Sequence, residues 1–175
     1  MGVNGKQKGN SFERRIANVF SERFKEQTGL EQSFRRNIDS GSFFGGNNQS
    51  RTQTHDLSKA SFGDIVTPPG FKFSLECKFY KTPPSFNSFL KQDIKQWDDW
   101  LTQAKQDSIN SNQDMALIIK YNNVEEIVLL DTFKTALKFQ ELDIHTDLNT
   151  NALKYRQFSV ITMRDFLSLP NDFFF

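Results

Sequence analysis

The chain has 175 residues, of which 37% are hydrophobic and 25% charged, with a formal net charge of +1, one cysteine and two histidines. That length can bury a core unaided, while a single cysteine excludes an internal disulfide or a Cys-rich zinc cluster, and near-neutrality removes any global case for a polyanion partner. No apolar run approaches the roughly 18 residues of a membrane span, and MGVNGKQKGNSFERR has neither a secretory apolar stretch nor, with Lys6, the Ser or Thr of a myristoylation motif, so one cytoplasmic domain over 1–175, off the membrane, is expected.

Charge is unevenly spread. Residues 1–85 hold 13 Lys/Arg against 8 Asp/Glu, and the remainder 9 against 13, which makes the first half the candidate for contact with a polyanion. Between Gly9 and Phe24, Phe12, Ile16, Val19, Phe20 and Phe24 recur at spacings of three and four. That predicts an amphipathic helix, capped by Asn10 or Ser11, with Glu13 in its first turn, where the helix dipole favours a carboxylate. Residues 31–38, with Phe34 and Ile38 around Arg35 and Arg36, suit a first strand. The segment 39–61 is rich in Gly, Ser, Asn, Gln and Thr without hydrophobic period, so a long mobile loop is expected there.

Asp64 opens a short β-rich run, DIVTP, and the segment TPPG then supplies a turn. Phe71 to Tyr80, FKFSLECKFY, alternates strictly, with Phe71, Phe73, Leu75, Cys77 and Phe79 on one face and Glu76 and Lys78 on the other. A hairpin would set Asp64 beside Glu76. Farther on, a helix is predicted over about 86–107, with Phe89, Leu90, Ile94, Trp97, Leu101 and Ala104 as its buried stripe. Strands over 115–121 and 125–130 would turn at Asn122-Asn123. A short helix after Asp131, a strand over 157–162 and a helical turn over 164–169 complete the pattern, with the terminal NDFFF either packed on the body, the commoner outcome, or exposed as a partner surface.

Glu-x-Lys by itself describes a surface ion pair on an amphipathic strand. Asp64 changes that reading. Two carboxylates offer hard oxygen ligands for Mg²⁺, which keeps several waters and suits phosphate chemistry, and Lys78 can orient a water or stabilise developing charge. The backbone carbonyl of Cys77 can add a ligand while its thiol faces the core. Neither a Ser/His/Asp set nor a P-loop is present, since GSFFGG lacks the Lys and the strand-loop-helix setting.

Asp64 followed by Glu76-Cys77-Lys78 resembles the pattern of the PD-(D/E)XK, or restriction-endonuclease-like, metal-dependent nucleases. Lys8 to Arg14 (KGNSFER) and Arg36 to Ser42 (RNIDSGS) are similar to segments of the archaeal-type Holliday junction resolvases within that superfamily, although Ile38 stands where a Pro is expected and the loop before Asp64 is longer. The resemblance implies an α/β restriction-endonuclease-like core, a mixed central sheet flanked by helices. It also implies Glu13 in or just behind the metal site, Arg36 as a phosphate contact, Ser40 as a site residue, and a Gln of the following helix, Gln92 or Gln96, near a metal-bound water.

The function expected is a Mg²⁺-dependent DNA endonuclease, with Mn²⁺ as a substitute, resolving four-way junctions as a homodimer. Arg14, Arg15, Arg35, Arg36, Arg51 and Lys59 would meet backbone phosphates. Two alternatives stay open: a nuclease of the same chemistry acting on duplex, flap or single-stranded ends, and a non-catalytic nucleic-acid-binding module. Richness in Asn, Lys and Phe suits a bacteriophage or an AT-rich bacterium.

Overall fold

The expected alternation in the segment after TPPG is realised as β3 (Phe73–Tyr80), an inner strand of a seven-stranded sheet. The computed structural model describes residues 5–37, 62–132 and 153–175. The other strands are β1 (Arg35–Arg36), β2 (Ile65–Val66), β4 (Asp114–Tyr121), β5 (Ile127–Asp131), β6 (Leu153–Tyr155) and β7 (Phe158–Thr162). Their order is β1-β2-β3-β4-β5-β7-β6, with β3 and β4 parallel and every other pair antiparallel. The expectations for 39–61, including Ser40, Arg51 and Lys59, and for a helix after Asp131 lie outside the described residues.

Helix α1 (Gly5–Arg23) crosses one face of the sheet and kinks at Phe24 into α2 (Lys25–Thr28). It begins before Gly9, because Lys6, Gln7 and Lys8 are good helix formers that prolong it. Asn10 and Ser11 are therefore interior residues and not caps, and Glu13 lies in the third turn, not the first. Phe12, Ile16, Phe20 and Phe24 are buried against Phe34, Phe73, Leu75, Cys77 and Ile118. Two short terminal helices, α5 (Met163–Ser168) and α6 (Asn171–Phe174), close this layer. Phe173 and Phe174 are fully buried, as expected of the terminal NDFFF.

The opposite face is covered by the connection from β3 to β4, which parallel pairing requires to cross over the sheet. It forms two helices, α3 (Phe86–Leu90) and α4 (Lys95–Ser111), where the sequence suggested one. Ser85 caps α3 through the Ser88 N–H. The break falls at Gln92, which takes the left-handed conformation (φ 54°) and gives its amide to the carbonyls of Phe89 and Lys154. The redirected α4 buries Ile94, Trp97, Leu101 and Ala104 over Met115, Leu117 and Ile119, while Leu90, expected in the stripe, stays exposed. Strand β6 was not anticipated. It pairs with β7 through a turn at Arg156, also left-handed.

Candidate active site

The TPPG turn closes with the Phe71 N–H donating to the Pro68 carbonyl at 3.2 Å, and Gly70 takes the positive φ of 84° that such a turn needs at its third residue. Antiparallel pairing of β2 with β3 runs through Ile65 and Leu75, which sets Asp64 opposite Glu76. The Asp64 N–H donates to the Leu75 carbonyl, and Asp64 Oδ2 accepts the Cys77 N–H at 2.9 Å. Within one strand residue N–H and C=O point to the same side, so the Cys77 carbonyl faces the edge on which Asp64 lies.

Two residues that sequence reasoning left unassigned hold Asp64 there. Gly63 has φ 78°, and a Cβ at that position would meet the Leu75 carbonyl oxygen at 2.7 Å. Only glycine permits that approach. Asn37, buried, donates its backbone N–H to the Asp64 carbonyl at 2.8 Å and its amide to the Gly63 carbonyl at 3.0 Å. The signal was present as a Gly directly before the carboxylate, a position where close backbone approach is common.

Glu76 is 1% exposed, because α4 lies over its face of β3. Lys78 Nζ donates to its Oε1 at 2.6 Å and to Gln103 Oε1 at 3.1 Å, whereas Glu76 Oε2 is buried without a hydrogen-bond partner among the described residues. Burial, then the Asp64 charge, pushes the Glu76 carboxyl up to about 8, against the pull of Lys78. Burial opposes the charge on Lys78, but Glu76 and Asp64 hold its ammonium above the ordinary range. Asp107, one helical turn beyond Gln103, is raised to about 6 by burial and by Asp64. Sequence reasoning missed Asp107. The resemblance pointed to Gln92 or Gln96, but Gln92 is engaged by Phe89 and Lys154, and it is Gln103 that meets Lys78.

Glu13 accepts from Arg36 Nε at 2.5 Å, and Arg36 also donates to Asn10 Oδ1 at 3.0 Å. Burial raises the Glu13 carboxyl, as does Asp64, against the hydrogen bond from Arg36. Of the described basic residues, Arg14 is exposed, Arg15 pairs with Glu126 at 2.8 Å, and Arg35 lies on the opposite side of β1 from Arg36, as alternation demands. The Cys77 thiol is buried in the α1 layer, and burial pushes it well above its ordinary range, which removes it as a nucleophile.

A family model described as phage putative PDDEXK endonuclease matches residues 4–174. The chain belongs to that family. It is accordingly a nuclease of the PD-(D/E)XK superfamily, and its mixed seven-stranded sheet with helices on both faces is the restriction-endonuclease-like α/β fold. No curated protein and no solved structure matches the chain. The carboxylates and the lysine singled out by the sequence resemblance, Asp64, Glu76 and Lys78, are neighbours here, with Asp64 opposite Glu76 and Lys78 bonded to Glu76. Among the described residues, no helix is long and apolar enough to cross a membrane.

Proposed function

We propose that this nuclease is a Mg²⁺-dependent DNA endonuclease whose site is built from Asp64, Glu76, Lys78 and the Cys77 carbonyl. The observation that carries the reading is Glu76 Oε2, a buried carboxylate oxygen with no partner among the described residues, beside a second carboxylate. An uncompensated buried charge is costly, and a divalent cation compensates it. Among the described residues no three His, Cys, Asp or Glu side chains gather closely enough to hold a metal by themselves. Two carboxylates, a carbonyl, water and a substrate phosphate match the donor set of Mg²⁺, which rarely relies on an all-protein cage. Mn²⁺ is expected to substitute.

Bound there, the cation supplies charge neutralisation at the phosphoryl oxygens and lowers the pKa of a coordinated water. The remaining roles fall to the chain. Asp64, fixed by Gly63, Asn37 and the Cys77 N–H, and Glu76, fixed under α4, set the ligand oxygens. Lys78, held between Glu76 and Gln103, orients the attacking water as its oxygen bonds to phosphorus and the bond to the leaving sugar oxygen breaks. Glu13 stands behind the pair, neutralised by Arg36, to which we assign contact with a substrate phosphate. Ser40, Arg51 and Lys59 retain their proposed roles as site and phosphate-contact residues.

We further propose branched DNA as the substrate and a homodimer as the acting form, on the resemblance of KGNSFER and RNIDSGS to the junction resolvases and on the two-fold symmetry of a four-way junction. The test is cleavage of a synthetic four-way junction against linear duplex, flap and single-stranded DNA, with Mg²⁺, Mn²⁺ or chelator. Paired symmetric nicks in the junction alone support it. Cutting of every substrate would leave a less selective nuclease of the same chemistry, and full cleavage in chelator or by Asp64→Asn would remove the metal-site reading.

A further inference from the structure

A cavity of about 300 Å³ opens between α1 and the sheet, lined by Lys8, Ser11, Phe12, Arg15, Phe79 and Lys120. Residues 8, 11, 12 and 15 follow the three-and-four spacing that places them on one face of α1. Phe79 and Lys120 are register partners on β3 and β4. Both walls belong to elements that also carry site residues, although by strand alternation the Phe79 side chain faces α1 whereas Glu76 and Lys78 face α4. The floor is aromatic, with the Phe12 and Phe79 rings edge to face at 5.8 Å. The rim is cationic. Lys8 Nζ lies 5.7 Å from the Phe79 ring centre and the Arg15 guanidinium 5.3 Å from that of Phe12. One carboxylate, Glu126, serves both Arg15 and Lys120, at 2.8 and 2.9 Å, so three cations face a single anion.

We propose that this cavity is a nucleotide subsite that takes an unpaired base of the bound DNA strand. The base lies on the Phe79 ring, and Lys8, Arg15 and Lys120 meet the flanking phosphates. A water-filled phosphate site would need no aromatic floor, and an apolar partner would not call for three cations around it. Stacking on an aromatic ring with phosphate contacts at its rim is the general chemistry of single-stranded nucleic-acid recognition. Cations resting on ring faces are exchangeable for a base, since exposed cation–π contacts are weak. The subsite deepens the reading of the chain as a DNA endonuclease and explains a preference for branched or distorted DNA, in which a base is already free of its partner.

The test measures binding alone, in the cleavage-deficient full-length Asp64→Asn chain without divalent ions, so its outcome is separate from that of the cleavage assay. Fluorescence anisotropy compares a labelled duplex containing one unpaired thymine, the same duplex with an abasic residue in its place, and a fully paired duplex. The thymine form should bind at least about five-fold tighter than the abasic form, the lower end of base–aromatic stacking. Phe79→Leu, which keeps an apolar group against the core, should erase that ratio. Lys8→Gln, at a half-buried position of α1, should weaken all three alike and reduce the salt slope by about one, while Lys25→Gln, remote from the cavity, should change nothing. A 2-aminopurine at the unpaired position should become shielded from acrylamide on binding. Equal affinity for thymine and abasic forms, or an unshielded 2-aminopurine, would overturn the proposal even if the enzyme cuts junctions as expected.

Discussion

Replacing Glu76 by Gln should stabilise the metal-free protein in a pH-dependent way while destroying its proposed metal site. The Glu76 carboxyl is raised from 4.5 to about 8 by burial and by Asp64. Its folded pKa therefore lies above its unfolded value, and the sign follows. Below pH 4.5 the group is neutral in both states and costs nothing. Between pH 4.5 and about 8 the unfolded chain releases the proton that the folded chain keeps, so stability falls as pH rises through that window. At 1.36 kcal/mol per pH unit the loss at pH 8 is of order 4 kcal/mol, a large share of the roughly 5–15 kcal/mol that holds a domain together. A glutamine side chain in that place, of equal shape and never charged, escapes that loss and still offers its amide oxygen to Lys78.

Urea unfolding of both proteins at pH 5, 6.5 and 8 in chelator checks this. The stability advantage of Glu76→Gln should stay below about 1 kcal/mol near pH 5 and grow to several kcal/mol at pH 8, or roughly 10 °C in Tm. Adding Mg²⁺ should stabilise the wild type and leave the variant unmoved, because a ligand stabilises only the fold that binds it. A variant no more stable than wild type at pH 8, or an advantage that does not change with pH, would refute the account of Glu76 as a buried, undercompensated carboxylate.

Gly63→Ala should lose most cleavage and about 2 kcal/mol or more of stability by thermal melting, since the added Cβ meets the Leu75 carbonyl at 2.7 Å from a backbone at φ 78°. Retention of both properties would show that Asp64 does not depend on that approach. Lys78→Ala should lower kcat by about 100-fold or more in single-turnover cleavage with Mg²⁺ affinity little changed, and an unaltered kcat would remove its catalytic role. Asp107→Asn should stabilise the protein by about 1 kcal/mol above pH 6, discounted for its partial exposure, and by nothing below pH 3.8, because the carboxyl is raised to about 6 by burial and Asp64. Chemical unfolding at pH 3.5 and 7.5 distinguishes these.

Segments whose structure follows from their own periodicity were legible in the sequence: β3 from its alternation, α1 from its three-and-four spacing, and the β4–β5 hairpin from two apolar runs about Asn122-Asn123. Asp64 beside Glu76 was legible as well, because TPPG leaves too little chain between the two runs for anything but a hairpin. The single helix drawn over 86–107 misled because a left-handed Gln92, held by a carbonyl 62 residues away, cannot be read from spacing.

The chemistry of the site depended on what no local pattern contains. The polar face of β3 looks solvated in one dimension, but α4, laid across it by the β3–β4 crossover, buries Glu76 and leaves one carboxylate oxygen without a partner among the described residues. Gln103 and Asp107 reach the site from that helix, and Arg36 and Asn37 tie Glu13 and Asp64 to β1. Sequence alone determined which residues carry charge and which face of each element they share, since those are properties of one segment at a time. Tertiary structure alone decided which charges lose their water, because desolvation is imposed by elements distant in the chain.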